Sequence, residues 1–580
     1  MLYPQNNKSR ITIDMSGIWD FRLGEGPWQR IAVPASYNDQ SPDPLFRSHA
    51  GTVCYRTQLN IPALFHGMRY VLRFDAVAHD ATVLLDGEEI GRHRGGFLPF
   101  EIDLTDRAEP GSAHELTVMA DNRINHSTLP IGTEGDTAFF GSDNPGITSV
   151  EAGKKRQREK GINLPAFDFF NYTGIQRPVR LCAMPRCCIQ DITVVPSLDG
   201  HIQYTVETLG EGTVEVTILD MEGREVGRAQ GAQGTVEIEN PVLWESWPGT
   251  PYLYTARVRF EGDQYDQTFG IRQVEVKGTQ LLLNGKPIYL HGPCRHEDSP
   301  FHGRGLDQVL NMTDMNLYHW LNANCFRTSH YPNAEEIYQL CDREGILIVD
   351  ETPAVGMWAD EHYGWDLWDY HAKVLTEMIH RDRNHPSVII WSLGNEPSTD
   401  TYPDKAYDYW YPLYELAHRE DPQNRPVTLV GCQNIYERDR IIPAMDIVFI
   451  NRYYGWYNLS GDLETAAYAL KMELDWWADK GKPMVLSEYG ADTVAGLHGA
   501  VPEMFTEEFQ AEFYRTIHAC LDERDFVVGE MPWVYADFST CQGPMRVGGN
   551  RKGLFTRDRR PKLAAHALRA RWAEIKAKKS

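Results

Sequence analysis

The chain has 580 residues, too many for one ordinary core, and its 42% hydrophobic and 11% aromatic content belongs to a well-packed globular protein of several domains. Against 57 Lys+Arg stand 81 Asp+Glu, a formal charge of −24, which repels nucleic acid and anionic membranes and excludes both as natural partners. The same field disfavours an anionic substrate unless a local cation stands in its site.

In chain order, Met1 to Lys8 carries no apolar segment of the signal-peptide kind, and no run of about eighteen apolar residues follows to span a membrane. The ten cysteines include no Cys-x-x-Cys pair, so reduced thiols and a cytoplasmic location are expected. Residues 10 to 185 alternate apolar and polar over short runs such as Tyr70 to Phe74, Ala81 to Leu85 and Leu116 to Ala120. This predicts a β-sandwich of jelly-roll type over residues 1–185. The runs Ile189 to Val195, Ile202 to Thr208, Thr213 to Leu219 and Tyr254 to Phe260 predict an immunoglobulin-like sandwich over 186–273.

From residue 274 the rhythm changes. Eight apolar runs read as parallel strands: Pro287 to Leu290, Asn324 to Arg327, Ile346 to Val349, Val388 to Trp391, Val427 to Val430, Ile447 to Ile450, Met484 to Leu486 and Val527 to Gly529. Helically spaced segments lie between them, including Asp307 to Ala323, Ala334 to Glu344, Asp366 to Arg383 and Tyr468 to Lys480. Strand–helix alternation on this scale predicts a C-terminal (β/α)₈ TIM barrel over 274–580, with its chemistry at the C-terminal strand ends. Glu396 follows the fourth run and Glu488 the seventh. Two carboxylates at rigid strand exits are what glycosidic cleavage needs, one to protonate the leaving oxygen and one to attack or to activate water.

Other readings compete at single positions. Glu396 could only favour a helix start, and Lys552 could be a solvated lysine like its basic neighbours. His296, Asp298 and His302 lie close together, but their spacing fits no common zinc pattern, and neither a metal nor a cofactor is expected.

The stretches Trp391 to Pro397, Leu486 to Gly490, Asp168 to Ile175, Arg327 to Pro332, Asp382 to Ser387, Asn451 to Tyr457 and Arg546 to Gly553 together resemble glycoside hydrolases of family two, and within it the β-glucuronidases, essentially end to end. The resemblance implies retaining exo-hydrolysis of small-molecule or oligosaccharide β-D-glucuronides, with Glu396 as acid/base and Glu488 as nucleophile. It implies that Asn550 and Lys552 hold the sugar carboxylate. It further implies that Asp168, His330, Asn395, Asn451, Tyr453, Tyr457, Trp533 and Arg546 line the sugar pocket, which requires the jelly roll to reach over the barrel mouth. Homotetramers or dimers are implied by the same analogy. Where some relatives insert a long loop after the third strand, Val355 to Asp366 is short and aromatic. A β-galacturonidase, a β-galactosidase and a catalytically silent sugar-binding protein are the alternatives. Lys552 speaks for a uronic acid and both glutamates speak for turnover.

Overall fold

Period-two alternation in the N-terminal part produces antiparallel strands with one face turned to a shared core. The computed structural model describes residues 1–133 and 148–579. Ala113–Asp121 pairs with Thr52–Asn60 on one side and Asp80–Leu85 on the other, within a six-stranded sheet. Val179–Pro185 pairs with Met68–Phe74 in a four-stranded sheet. Phe21, Tyr55, Leu72, Phe74, Val83 and Val118 are among the buried residues between the two sheets. A helix, Thr148–Lys160, interrupts the strands and departs from the all-strand pattern expected there. Its residues are almost all polar, so it lacks the apolar i, i+3, i+4 spacing by which a helix is recognised.

The second sandwich stacks a three-stranded sheet on a four-stranded one, with Tyr254–Phe260 central in the latter. Its core holds Ile192, Val216, Ala256 and Phe260.

Eight parallel strands then form the barrel: β1 (Leu290–His291), β2 (Cys325–Arg327), β3 (Leu347–Glu351), β4 (Val388–Asn395), β5 (Val427–Gly431), β6 (Val448–Asn451), β7 (Met484–Glu488) and β8 (Val527–Glu530). Each lies beside its sequence neighbour, β1 pairs with β8, and a parallel bridge from Cys294 to Arg327 closes the ring. All of β4 is buried, as expected of a strand covered on both faces. The first expected run needs correction. Lys286–Pro287 pairs with Gln280–Leu283 in a separate antiparallel sheet, and the barrel starts at Leu290. Pro287 has no N–H to give to a barrel ladder.

Helices α1 (Gln308–Leu321), α2 (Glu335–Glu344), α3 (Trp365–Asp382), α4 (Pro403–Glu420), α5 (Leu463–Ala478), α6 (Glu507–Leu521) and α7 (Leu563–Lys579) surround the ring. The Asp307 carboxylate caps α1 by accepting from Leu310 N, and Asp462 caps α5 in the same way through Thr465 N. That cap starts α5 before the expected Tyr468. The connection from β5 to β6 is two short 3₁₀ turns, Tyr436–Arg438 and Ile442–Ala444, where a full helix would complete the alternation. Among the described residues no helix is long and apolar enough to cross a membrane.

Candidate active site

Strands β3, β4, β6 and β7 continue past their last apolar residue into polar ones, and those polar ends build the site. Glu488 is the last residue of β7, beside Asn451 of β6. Glu396 follows β4 in the left-handed region at φ 53°, a conformation that an L-residue holds only when its surroundings fix it. Its N–H is bonded to Val430 O at 2.9 Å, and its carbonyl accepts from Trp358 Nε1 at 3.0 Å. Gly394 lets β4 pass close to the preceding loop, because a Cβ there would lie 2.7 Å from Ala354 O.

Both glutamates line one cavity of about 340 Å³. Of the residues expected around them, Asp168, His330, Asn395, Tyr453, Tyr457, Trp533, Arg546 and Asn550 line it too. Asp168 comes from the jelly roll, which therefore reaches over the barrel mouth. Phe170 N bonds to Ser539 O at 2.8 Å and anchors that crossing. His330 stacks on Trp533 with ring centroids 5.1 Å apart.

Two expected residues do not line the cavity. Asn451 stands behind the carboxyls. It donates to Glu396 Oε1 at 2.8 Å and Asn395 Oδ1 at 3.1 Å, and it accepts from Ser487 Oγ at 2.8 Å. Lys552 is fully buried behind Tyr457, to whose hydroxyl it donates at 2.8 Å, and its ammonium is paired with Asp492.

The two carboxyls are held differently. Glu488 accepts from Tyr453 OH at 2.8 Å and from the Arg327 guanidinium. Arg327 also clamps Glu351 at 2.8 and 2.7 Å, and Glu351 holds His330 Nδ1 at 2.8 Å and accepts from Ser392 Oγ at 2.7 Å. Burial pushes both carboxyls of the pair upward. Burial lifts Glu488 to about 8, opposed by Arg327 and reinforced by the neighbouring Glu396. Taken alone, that shift would put the proton on Glu488. In a coupled pair, however, the protons belong to both groups. When the pair carries one negative charge, the cation and the phenol beside Glu488 favour the charge there. Glu396 has the uncharged Asn451 amide as its donor and keeps the proton.

Sequence reasoning does not single out Arg327 or Glu351. Their signal was present, a charged residue closing an apolar run at a strand end, but their pairing is visible only in three dimensions. Asp492, Trp358 and His296 also stand at or directly behind the cavity wall. Of the three residues weighed as a metal set, His296 lines the cavity, Asp298 accepts from Ser539 N at 3.1 Å, and His302 lies 3.2 Å from Asp307. Among the described residues no metal-type cluster of three forms.

The architecture and the strand-end carboxyls define a glycoside hydrolase. Three family descriptions match in succession: "Glycosyl hydrolases family 2, sugar binding domain" over residues 9–185, "Glycosyl hydrolases family 2" over 187–272, and "Glycosyl hydrolases family 2, TIM barrel domain" over 274–577. The chain belongs to glycosyl hydrolase family 2. It is 40% identical to a β-glucuronidase of Paenibacillus borealis across 99% of both chains. A solved Faecalibacterium prausnitzii β-glucuronidase superposes with a TM-score of 0.97 at 56% identity over 99% of both chains. A Bifidobacterium dentium β-glucuronidase complexed with coumarin-3-O-glucuronide superposes with a TM-score of 0.95 at 48% identity, covering 99% of this chain and 98% of that one.

Proposed function

We propose that the protein is a retaining exo-β-D-glucuronidase. The observation that carries this reading is a single cavity with Glu396 and Glu488 on its wall beside a corner that brings together the Arg546 guanidinium, the Asn550 amide and, behind them, the Lys552 ammonium, each cation paired with a carboxylate. The relatives named above support the same substrate. In the first step the Glu488 carboxylate attacks the anomeric carbon, the bond to the leaving oxygen breaks, and Glu396 gives that oxygen its proton. A covalent glucuronyl-enzyme results. Glu396, now a carboxylate, takes a proton from water as the water attacks the same carbon and releases glucuronate. His330, Asn395, Tyr453 and Trp533 surround the ring, and Asn451 orients the Glu396 carboxyl.

The Arg546 guanidinium and the Asn550 amide on the wall, with Lys552 behind them, receive the sugar carboxylate. A cation among hydrogen-bond donors has no counterpart on a neutral hexose, so a galactosidase is not favoured. Rates on p-nitrophenyl β-glucuronide, galacturonide, galactoside, glucoside and mannoside test the reading. The glucuronide is expected to turn over fastest by a wide margin, and a galactoside or galacturonide leading the series would overturn it.

A further inference from the structure

The cationic corner is balanced before any ligand arrives. Arg546 is forked onto Asp168, with Nε and Nη2 at 2.8 and 2.9 Å from its two oxygens. Lys552 is paired with Asp492, and Arg546 Nη1 reaches the same Asp492 oxygen at 3.5 Å. The other Asp492 oxygen accepts from Arg551 N at 2.8 Å, so the carboxylate is fixed from two sides. Two cations thus face two carboxylates. Burial pushes Asp492 toward the neutral form, but Lys552 and Arg546 outweigh it and hold the carboxyl below its usual range. Tyr457 OH accepts from Arg546 at 2.9 Å and from Lys552 at 2.8 Å. Both of its lone pairs are engaged, which leaves its own hydrogen for the cavity it lines.

We propose that Asp492 is a specificity-determining residue that competes with the sugar carboxylate for Lys552 and so sets how tightly a uronic acid is held and how readily it leaves. The inference rests on the uronate reading above. A carboxylate entering beside Arg546, Asn550 and Tyr457 gives a neutral cluster a net negative charge, and Asp492 both repels it and already occupies the ammonium. The hydrolytic product keeps the carboxylate that the substrate used for binding. A corner with unopposed cations would hold product as firmly as substrate, and slow release limits many enzymes. Asp492 therefore trades affinity for turnover.

Asp492→Asn tests this, since the amide oxygen can still accept from Arg551 N while the charge is gone. Without its counter-ion Lys552 is a buried, unrelieved cation, and a bound carboxylate is what relieves it. The inhibition constant for D-glucuronate against a chromogenic glucuronide is expected to fall about tenfold, an affinity gain of one order. KM for the glucuronide should fall with it, and kcat should fall as release slows. KM for the neutral β-glucoside should stay within a factor of about two, because the lost charge has no anion to act on. Damage to the fold would weaken both ligands, so tighter glucuronate binding is not a structural side effect. An unchanged or weaker glucuronate constant overturns the proposal. If thermal unfolding shows that Asp492→Asn does not fold, Asp492→Ser is measured for the same constants, and failure of both to fold makes Asp492 a structural tie and removes the proposal. Wild-type protein that is neither inhibited by glucuronate nor active on glucuronides would instead refute the uronate reading itself.

Discussion

Glu351 is fully buried and does not line the cavity, yet it divides the Arg327 cation with Glu488 and fixes His330 through Nδ1. Glu351→Gln leaves Arg327 more fully available to Glu488, which stabilises the Glu488 carboxylate and lowers its proton affinity. The acid limb of the kcat/KM profile should therefore move to lower pH, with kcat/KM down roughly tenfold or more from the loosened His330. An unmoved limb would show that Glu351 only packs. Under the proposed mechanism Glu396 and Glu488 should fail differently. Glu488→Ala should no longer be labelled by a mechanism-based fluoro-sugar. Glu396→Ala should still be glycosylated by substrates with good leaving groups, and azide should restore turnover as β-glucuronyl azide; recovery of the α-azide would exchange the roles. Because burial pushes both carboxyls up, both limbs of the wild-type profile should lie above the ordinary carboxylate range. At this scale Glu396 and Glu488 were legible because each follows an apolar strand run. The position of Lys552 behind Tyr457 was not, since a flexible side chain can reach in several directions and sequence does not say which neighbour captures it.

Glu530 ends β8 and ties the barrel to α7. It accepts from Trp572 Nε1 at 2.6 Å, Arg571 Nη2 at 2.7 Å and Tyr289 OH at 2.8 Å. Burial alone would raise it, but His518 and Arg571 outweigh that and hold it at about 2. His518 is itself held at about 4 by burial, so Arg571 is the partner that stays charged at neutral pH. The folded pKa lies below the unfolded value of about 4.3, so this stabilisation is present above about pH 4.3 and is lost as pH falls through about 2. Glu530→Gln should cost about 1.5–3 kcal/mol at pH 7, the worth of its charge-assisted bonds to Arg571, and flatten the acid limb of stability against pH. Urea titrations from pH 7 down to pH 3 would check this, and parallel curves for the two proteins would refute it. Strands and helices were readable here because their periods are local, although the Asp462 cap that starts α5 ahead of Tyr468 was not read. The 3₁₀ link between β5 and β6, the antiparallel place of Pro287 and the polar helix Thr148–Lys160 were not, because partner choice and burial decide them.

The domains are joined by buried ion pairs. Arg73 of the jelly roll reaches Glu335 at the start of α2 at 2.5 Å and Asp75 at 2.7 Å. Arg10 holds Asp263 of the second sandwich at 2.6 Å, and Arg383 of the barrel holds Asp191 at 2.8 Å. Arg73→Ala strands Glu335 without its paired cation, while Asp75 keeps Arg180, and should cost about 3–5 kcal/mol. It should be read by urea unfolding with separate probes for sheet and barrel. A loss below about 1 kcal/mol would place the pair among those that contribute little. The order of the three folds was legible from changes of period along the chain, whereas none of these ties was, since each joins residues far apart in sequence. Asp168 adds something to that picture. One wall of the pocket's charge balance is encoded far upstream of the barrel that carries Glu396 and Glu488. A chimera that takes its N-terminal module from a relative must therefore supply an acidic partner for Arg546, so the two modules meet as one functional unit at the pocket.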